Sequence, residues 1–327
     1  SFGKAFIHKL IVNNTNIKRL VIFSRDEMKQ WELSQKYPPS EYPFIRFFLG
    51  DIRDQKRLNR ALSGIDIVIH AAALKQVPAA EYNPMEFIKT NIIGGYNLIE
   101  SCIDNGVKKV IALSTDKAAA PISLYGATKL CSDKLFVSAN NIVGASDITF
   151  SIVRYGNVMG SRGSVIPLFL ESSKRGLINI TDKNMTRFNI SLDEGVEMVF
   201  WAMDNSLGGE IFVPKIPSYK IMDVAEAISP NCEKKIVGIR PGEKVYEAMI
   251  TESDGYSTLD LGKYYVILPS KEKFIKLYDE LGIKYKALPK GFSYRSDKNK
   301  DFLNVQQIRE LIKKHISPDF KPIENTI

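Results

Sequence analysis

Through the first half of the chain, short runs of β-branched and aromatic residues alternate with longer stretches in which apolar side chains recur every three or four positions. The short runs suit strands buried on both faces and the longer stretches suit amphipathic helices, so the alternation predicts βαβ units around a parallel sheet. Strands are expected at residues 19–23, 45–49, 65–70, 110–114 and 149–154, and helices at 55–62, 83–105 and 124–140. The fold class is therefore α/β, a doubly wound parallel sheet that places its ligand at the carboxyl ends of the strands. Beyond Gly156 the alternation breaks down, and turn signals such as Gly208-Gly209 and Pro241-Gly242 separate shorter elements. Helices are expected at 193–204, 221–228 and 304–315, the last packing back on the body, and short strands at 210–213 and 235–239. The expected division is a first domain at 1–157, to which some later segments return, and a smaller mixed α/β lobe with a tail at 158–327.

Composition narrows this picture. At roughly 150 residues per domain, 327 residues suit two domains, and 44% hydrophobic with 25% charged residues excludes a disordered chain. No apolar run approaches the roughly 18 to 20 residues of a membrane span, so no membrane role is expected. The net charge of +8 fits nucleic acid, a membrane surface or an anionic small substrate equally well. It is spread thinly, with no block of about five or six like charges, so nucleic acid is not an expected partner. The three cysteines form no CxxC pair or bridge framework, and the opening SFGKAFIHKL is not a signal peptide, which points to a reducing cytoplasm. No metal site is expected.

Chemistry-bearing residues fall at the expected strand ends. A dinucleotide fold opens with a strand and a glycine-rich turn, whereas this chain starts at Ser1-Phe2-Gly3 and runs straight into a helical pattern, as if cut within that turn. Ser1 and Phe2 are accordingly placed beside the cofactor. After the next strand, Ser24-Arg25-Asp26 with Lys29 stands where such folds read the adenosine ribose. A small hydroxyl followed by arginine favours the 2′-phosphate of NADP over NAD; the alternative is a solvated turn before a helix. Asp51-Ile52 is placed to meet the adenine, and Ala71-Ala72-Ala73 lets a cofactor lie close to backbone. Lys75 and Gln76 either touch substrate or order a loop.

The strongest signal is Leu113-Ser114-Thr115-Asp116-Lys117, followed eight residues later by Tyr125 and, four beyond it, Lys129. Tyrosine and lysine at that spacing share one helix face, where the ammonium can lower the phenol's pKa and hold a nicotinamide ribose. Such a phenolate removes a hydroxyl proton as hydride leaves the same carbon. Asp116 and Lys117 add a carboxyl and an amine at the same strand end; a lysine amine serves as a base only with its pKa lowered, and Lys129 is one neighbouring cation that would do so. Further on, Tyr155, Gly156 and Val158 are expected near the nicotinamide and diphosphate, Asn157 against a phosphate or sugar oxygen, and Val165 on the substrate side. Thr181, Arg187, Arg240 and Glu243 are candidate diphosphate and uridine contacts, although each arginine alone also reads as a solvated salt bridge.

The string LSTDKAAAPISLYGATKL, with SRDEMKQ, GDIRD, HAAALKQVP, RYGNVMGSRGSV, TRF, IFVPKIPS and GIRPGEK, resembles the extended short-chain dehydrogenase/reductase superfamily. Within it, the chain is similar to the inverting UDP-N-acetylglucosamine 4,6-dehydratases that begin pseudaminic acid synthesis for flagellin glycosylation. The resemblance runs from Ser1 to about Lys273 and departs from the family in lacking a GGTG-type start. It implies a Rossmann-like fold, bound NADP, UDP-N-acetylglucosamine as substrate and a homo-oligomer. It also implies Lys117 as the base at C5, Asp116 as the acid for the C6 hydroxyl, and Asn91 as a support for the active-site helix. The rival readings are a UDP-sugar C4 epimerase, a retaining 4,6-dehydratase and a non-catalytic dinucleotide-binding regulator.

Overall fold

The structure, a computed structural model, describes residues 2–13, 16–161 and 163–323; Ser1 lies outside them. The first half runs α1 (Phe2–Asn13), β1 (Leu20–Ser24), α2 (Glu27–Lys36), β2 (Ile45–Leu49), α3 (Gln55–Leu62), β3 (Ile67–His70), α4 (Val77–Tyr82), α5 (Pro84–Phe87), α6 (Gly94–Asp104), β4 (Lys109–Thr115), α7 (Leu124–Ala139) and β5 (Thr149–Tyr155). Aspartates start the early helices: Asp26 accepts from the Lys29 N–H and Asp54 from the Arg57 N–H, each satisfying an otherwise orphaned first-turn donor. The second half continues with β6 (Asn157–Val158), α8 (Val165–Ser172), β7 (Leu177–Ile180), β8 (Thr186–Ile190), α9 (Leu192–Asn205), β9 (Ile211–Pro214), β10 (Ser218–Lys220), α10 (Ile221–Ile228), β11 (Glu233–Ile236), β12 (Ala248–Ile250), α11 (Glu252–Gly255), β13 (Thr258–Asp260), β14 (Tyr264–Ile267), α12 (Lys271–Glu280), β15 (Lys286–Ala287), β16 (Tyr294–Arg295) and α13 (Val305–His315).

The main sheet has the order β15-β13-β14-β9-β5-β4-β3. From β3 to β9 its pairs are parallel, and from β9 outward they are antiparallel, so segments after residue 157 complete the sheet begun by the first half. Strands β1 and β2 pair in parallel as a separate two-stranded sheet, covered by a cluster of Ile7, Ile22, Leu33, Tyr37 and Ile45. The periodicity predicted strands here but carried no information on that separation. A second core gathers Ile166, Phe169, Ile178, Ile180, Val224, Ile228, Ile308 and Ile312, which joins α8, α10 and α13 into the smaller lobe.

The helix expected over 83–105 is present as one continuous helical run from Pro84 to Asp104, the middle of which departs from α geometry. Pro84 lacks an N–H and clashes with the preceding turn, so α4 stops at Tyr82 and the chain restarts at Pro84. A π-helical turn, Ile88–Ile93, then precedes α6. It turns Asn91 inward, where Nδ2 donates to the Leu74 carbonyl (2.9 Å) and Thr128 Oγ1 (3.0 Å) while Oδ1 accepts from the Leu74 N–H (2.9 Å). The loop after β3 is thereby fixed to α7. Among the described residues, no helix is long and apolar enough to cross a membrane.

Candidate active site

The carboxyl end of β4 turns sharply. Thr115 accepts from the Lys117 N–H, and Asp116–Ala118 forms one 3₁₀ turn before Ser123 caps α7 by accepting from the Gly126 N–H. That turn is pressed onto α7 at Gly126, where a Cβ would stand 2.3 Å from the Lys117 carbonyl oxygen. Lys117 and Tyr125 are thus brought together by backbone contact.

Asp116 is fully buried. Its Oδ1 accepts from Thr115 Oγ1 at 2.9 Å and Lys117 Nζ at 3.1 Å, while Oδ2 has no hydrogen-bond partner among the described residues. Gly156 keeps the space beside it open: a Cβ there would come within 2.7 Å of Phe188 Cβ and 3.6 Å of Asp116 Oδ2. Lys117 Nζ also reaches Asn157 Oδ1 at 3.5 Å and Glu247 Oε1 at 3.4 Å. Burial pushes the Lys117 ammonium toward deprotonation, but the Asp116 and Glu247 carboxylates outweigh it and hold its pKa above the ordinary lysine value. The cation that opposes them is Arg187, not Lys129 as the sequence suggested. Lys129 instead donates to the Leu113 carbonyl at 2.9 Å, and burial lowers its own pKa. Tyr125 departs from expectation in the same sense: burial raises its pKa to about 12, opposed by the Lys117 charge and a hydrogen bond with Thr115. The shared helix face is present, but the lysine nearest in effect to the phenol is the one on the strand-end turn.

Behind these groups, Ser114 Oγ donates to Asp133 Oδ2 (2.7 Å), which also accepts from Arg154 Nη2 (3.1 Å), a buried network that ties β4 and β5 to α7. Tyr155 is buried and its pKa raised by desolvation, Leu113 and Val158 pack partly into the main core, and Phe2 stacks on Phe6 at 5.9 Å.

At the other strand ends, Ala71, Ala72 and Ala73 are exposed after β3, followed by exposed Lys75. Ser24 Oγ accepts from the Asp26 N–H at 3.1 Å. Asp26 is engaged by the Lys29 N–H and ammonium, and Asp51 by Arg53 at 3.0 and 2.8 Å, which holds both carboxyls below the usual range. Arg25 lies 3.5 Å from Asp51 with half its side chain exposed. Ile52 is buried beneath Gly94, where a Cβ would meet it at 2.7 Å.

The expected substrate residues divide. Asn157 joins the Lys117 cluster. Arg187 is buried, and its terminal nitrogens donate to the carbonyls of Thr186 (2.7 Å), Lys244 (2.9 Å) and Val245 (3.3 Å), so it ties β8 to the segment ahead of β12. Val165 opens α8, and Thr181 follows β7, half-buried. Arg240 and Glu243 pair at 2.5 Å on the segment between β11 and β12, with the arginine exposed. This segment crosses to the Asp116–Ala118 turn: a Cβ on Gly242 would meet Val77 and Ser123, and Lys244 Nζ donates to the Ala119 carbonyl at 2.9 Å. Glu247 was missed by sequence reasoning. The signal available was its place three residues after Lys244 in GEKVYEAMI, a lone acid opening an apolar run.

A family model described as "Polysaccharide biosynthesis protein" matches residues 1–269. A protein of Campylobacter jejuni named UDP-N-acetylglucosamine 4,6-dehydratase (inverting) is 50% identical over 322 residues, covering 95% of this chain and 94% of its own. One of Rickettsia typhi named UDP-glucose 4-epimerase is 38% identical over 320 residues, covering 95% and 92%. Among solved structures, Pen from Bacillus thuringiensis superposes with a TM-score of 0.85 at 35% identity, covering 96% of this chain and 94% of that one.

Proposed function

The chain belongs to the polysaccharide biosynthesis protein family, with the fold of the extended short-chain dehydrogenases/reductases, and from that premise we propose that it is an NADP-dependent, inverting UDP-N-acetylglucosamine 4,6-dehydratase. The observation that carries this reading is the Asp116–Lys117 pair, 3.1 Å apart at the end of β4, beside Tyr125. Oxidation of C4 alone, as in an epimerase, needs only the tyrosine. An additional acid and base at one strand end fit an elimination across C5 and C6.

The strand ends fit a nicotinamide dinucleotide. Three exposed alanines after β3 offer a floor without bulky side chains. Near Ser24 and Arg25, both carboxylates are already engaged, Asp26 with Lys29 and Asp51 with Arg53, so neither is presented to a ribose hydroxyl. The half-exposed Arg25 guanidinium suits a 2′-phosphate, which supports NADP over NAD. When bound, this cofactor would supply the acceptor for the C4 hydride and the hydride returned to C6 within the turnover.

The residues then act in sequence. Tyr125, as the phenolate left once its own proton has passed to solvent, takes the C4 hydroxyl proton. The resulting C4 carbonyl acidifies C5–H, and Lys117 removes that proton. Asp116 gives its proton to the C6 hydroxyl, which leaves as water. Lys117 must begin as an amine and Asp116 as a carboxylic acid, whereas the ion pair favours the charged forms. Transfer of one proton across the 3.1 Å contact interconverts the two states with no net proton exchange. A proton from solvent, delivered to C5 from the face opposite Lys117, inverts that centre, and the proton that Lys117 took passes to Asp116 and restores both groups. Lys129 fixes the strand end through Leu113 and Asn157 orients Lys117, and on this reading Lys75, Val165, Thr181, Arg240 and Glu243 hold the nucleotide sugar. A cytoplasmic homo-oligomer acting at the entry to pseudaminic acid synthesis for flagellin glycosylation completes the proposal.

Incubation with UDP-N-acetylglucosamine and NADP tests it by product mass. Loss of one water is expected; an unchanged mass would point to C4 epimerisation instead.

A further inference from the structure

The site contains one carboxylate more than this reaction uses. Glu247, just ahead of β12, is buried to 2% of its exposed area, and its N–H is held by Ser296 Oγ at 2.9 Å. Its Oε1 lies 3.4 Å from Lys117 Nζ and 3.8 Å from Arg187 Nε. Its Oε2 lies 4.0 Å from Lys244 Nζ and has no hydrogen-bond partner among the described residues. A buried carboxylate is tolerated only beside compensating charge. Arg187 is already spread over three backbone carbonyls and Lys244 donates to Ala119, so the nearest cation to Glu247 is the ammonium of Lys117 itself.

We propose that Glu247 is a positioning residue for the elimination: it holds the Lys117 side chain over the catalytic turn and is the standing counter-ion of the ammonium that forms when Lys117 takes the C5 proton. This rests on the function proposed above. Asp116 cannot fill that role, because in the working state it carries the proton destined for the leaving hydroxyl. The groups that face Lys117 are Asp116 on its own turn, Tyr125 on α7, Asn157 on β6, Arg187 on β8, Tyr219 on β10, and Lys244 and Glu247 ahead of β12. With Glu247 neutralised, the working state retains the Arg187 and Lys244 cations without a carboxylate to offset them. The amine is then more easily formed and a weaker base.

Three readouts on Glu247→Gln and Glu247→Asp in the full chain separate this from a packing role. With UDP-N-acetylglucosamine, Glu247→Gln is expected to lose water about ten- to a hundredfold more slowly at a KM within about threefold of the parent. Reduced cofactor should accumulate because C4 oxidation continues, and substrate deuterated at C5 should show an enlarged isotope effect. Glu247→Asp should restore part of the rate. Without substrate, acetylation of Lys117 by acetic anhydride, followed by peptide mass spectrometry, should be about tenfold faster in Glu247→Gln, since each pKa unit lost raises the amine fraction tenfold. Unchanged Lys117 acetylation together with an unchanged isotope effect would overturn the proposal, as would equal slowing of oxidation and elimination. If the parent enzyme releases no water, the functional reading fails, while the acetylation comparison still decides the pairing of Glu247 with Lys117.

Discussion

Gly126→Ala offers the sharpest test of how the catalytic turn is held. In the first turn of α7, alanine is favoured over glycine by about 1 kcal/mol from helix propensity alone. Sterics oppose this: the new Cβ would stand 2.3 Å from the Lys117 carbonyl oxygen and 3.0 Å from Pro121 Cβ. The overlap with the oxygen is roughly 1 Å inside ordinary contact and involves backbone, so no side chain can rotate away to relieve it. Overpacking of this kind costs about 1–3 kcal/mol, so the net effect is destabilisation of up to about 2 kcal/mol. Activity should suffer more than stability. Relief of the clash moves Lys117 relative to Tyr125, and displacement of a catalytic group by about 1 Å costs about a hundredfold in rate. Gly95→Ala in α6 is the control, because its Cβ would meet Phe136 Cε2 at an ordinary 3.5 Å; it should stabilise by about 0.5–1 kcal/mol and leave turnover unchanged. Thermal unfolding and turnover on the two variants provide the comparison. A Gly126→Ala protein that is more stable than the parent and fully active would refute the reasoning.

Other substitutions probe separate links. Lys117→Ala should still oxidise C4, seen as reduced-cofactor absorbance, but release no water; normal water loss would remove Lys117 as the base. Arg25→Ala should weaken NADP binding by about tenfold or more while leaving NAD binding near the parent value, measured by titration calorimetry; equal loss for both cofactors would count against a 2′-phosphate contact. His70 is buried, and desolvation followed by the Lys129 charge lowers its pKa to about 3. Its folded pKa is thus below the unfolded value of about 6.5, so its contribution is present above that pH and is lost as pH falls toward 3, on the order of several kcal/mol in all. Urea midpoints at pH 7 and 4.5 should therefore fall less for His70→Leu than for the parent, and identical falls would show that His70 takes no part.

Much of the architecture was legible because it depends on local pattern. Residues 45–49, 55–62 and 221–228 form the elements predicted for them, and Tyr125 and Lys129 lie one turn apart as their spacing required. What the pattern missed is long-range. The π turn at Ile88–Ile93 lies inside a segment whose apolar periodicity reads as uninterrupted α-helix. The partners of Lys117 are set by β8 and the segment ahead of β12, which are 70 and 130 positions away in the chain, so Arg187 displaced Lys129 as its cationic neighbour and Glu247 escaped notice. Burial also reverses the simplest electrostatic expectation for Tyr125, because desolvation of the phenolate outweighs the lysine charge.

The central claim is elimination by Asp116 and Lys117 with inversion at C5. The most direct measurement is turnover of UDP-N-acetylglucosamine in deuterium oxide, with product mass and proton NMR read together. The account predicts a 4-keto-6-deoxy product, lighter by one water apart from solvent deuterium gained, with deuterium at C5 and the C5 configuration inverted. A product of unchanged composition, or one that retains the C5 configuration, would contradict it.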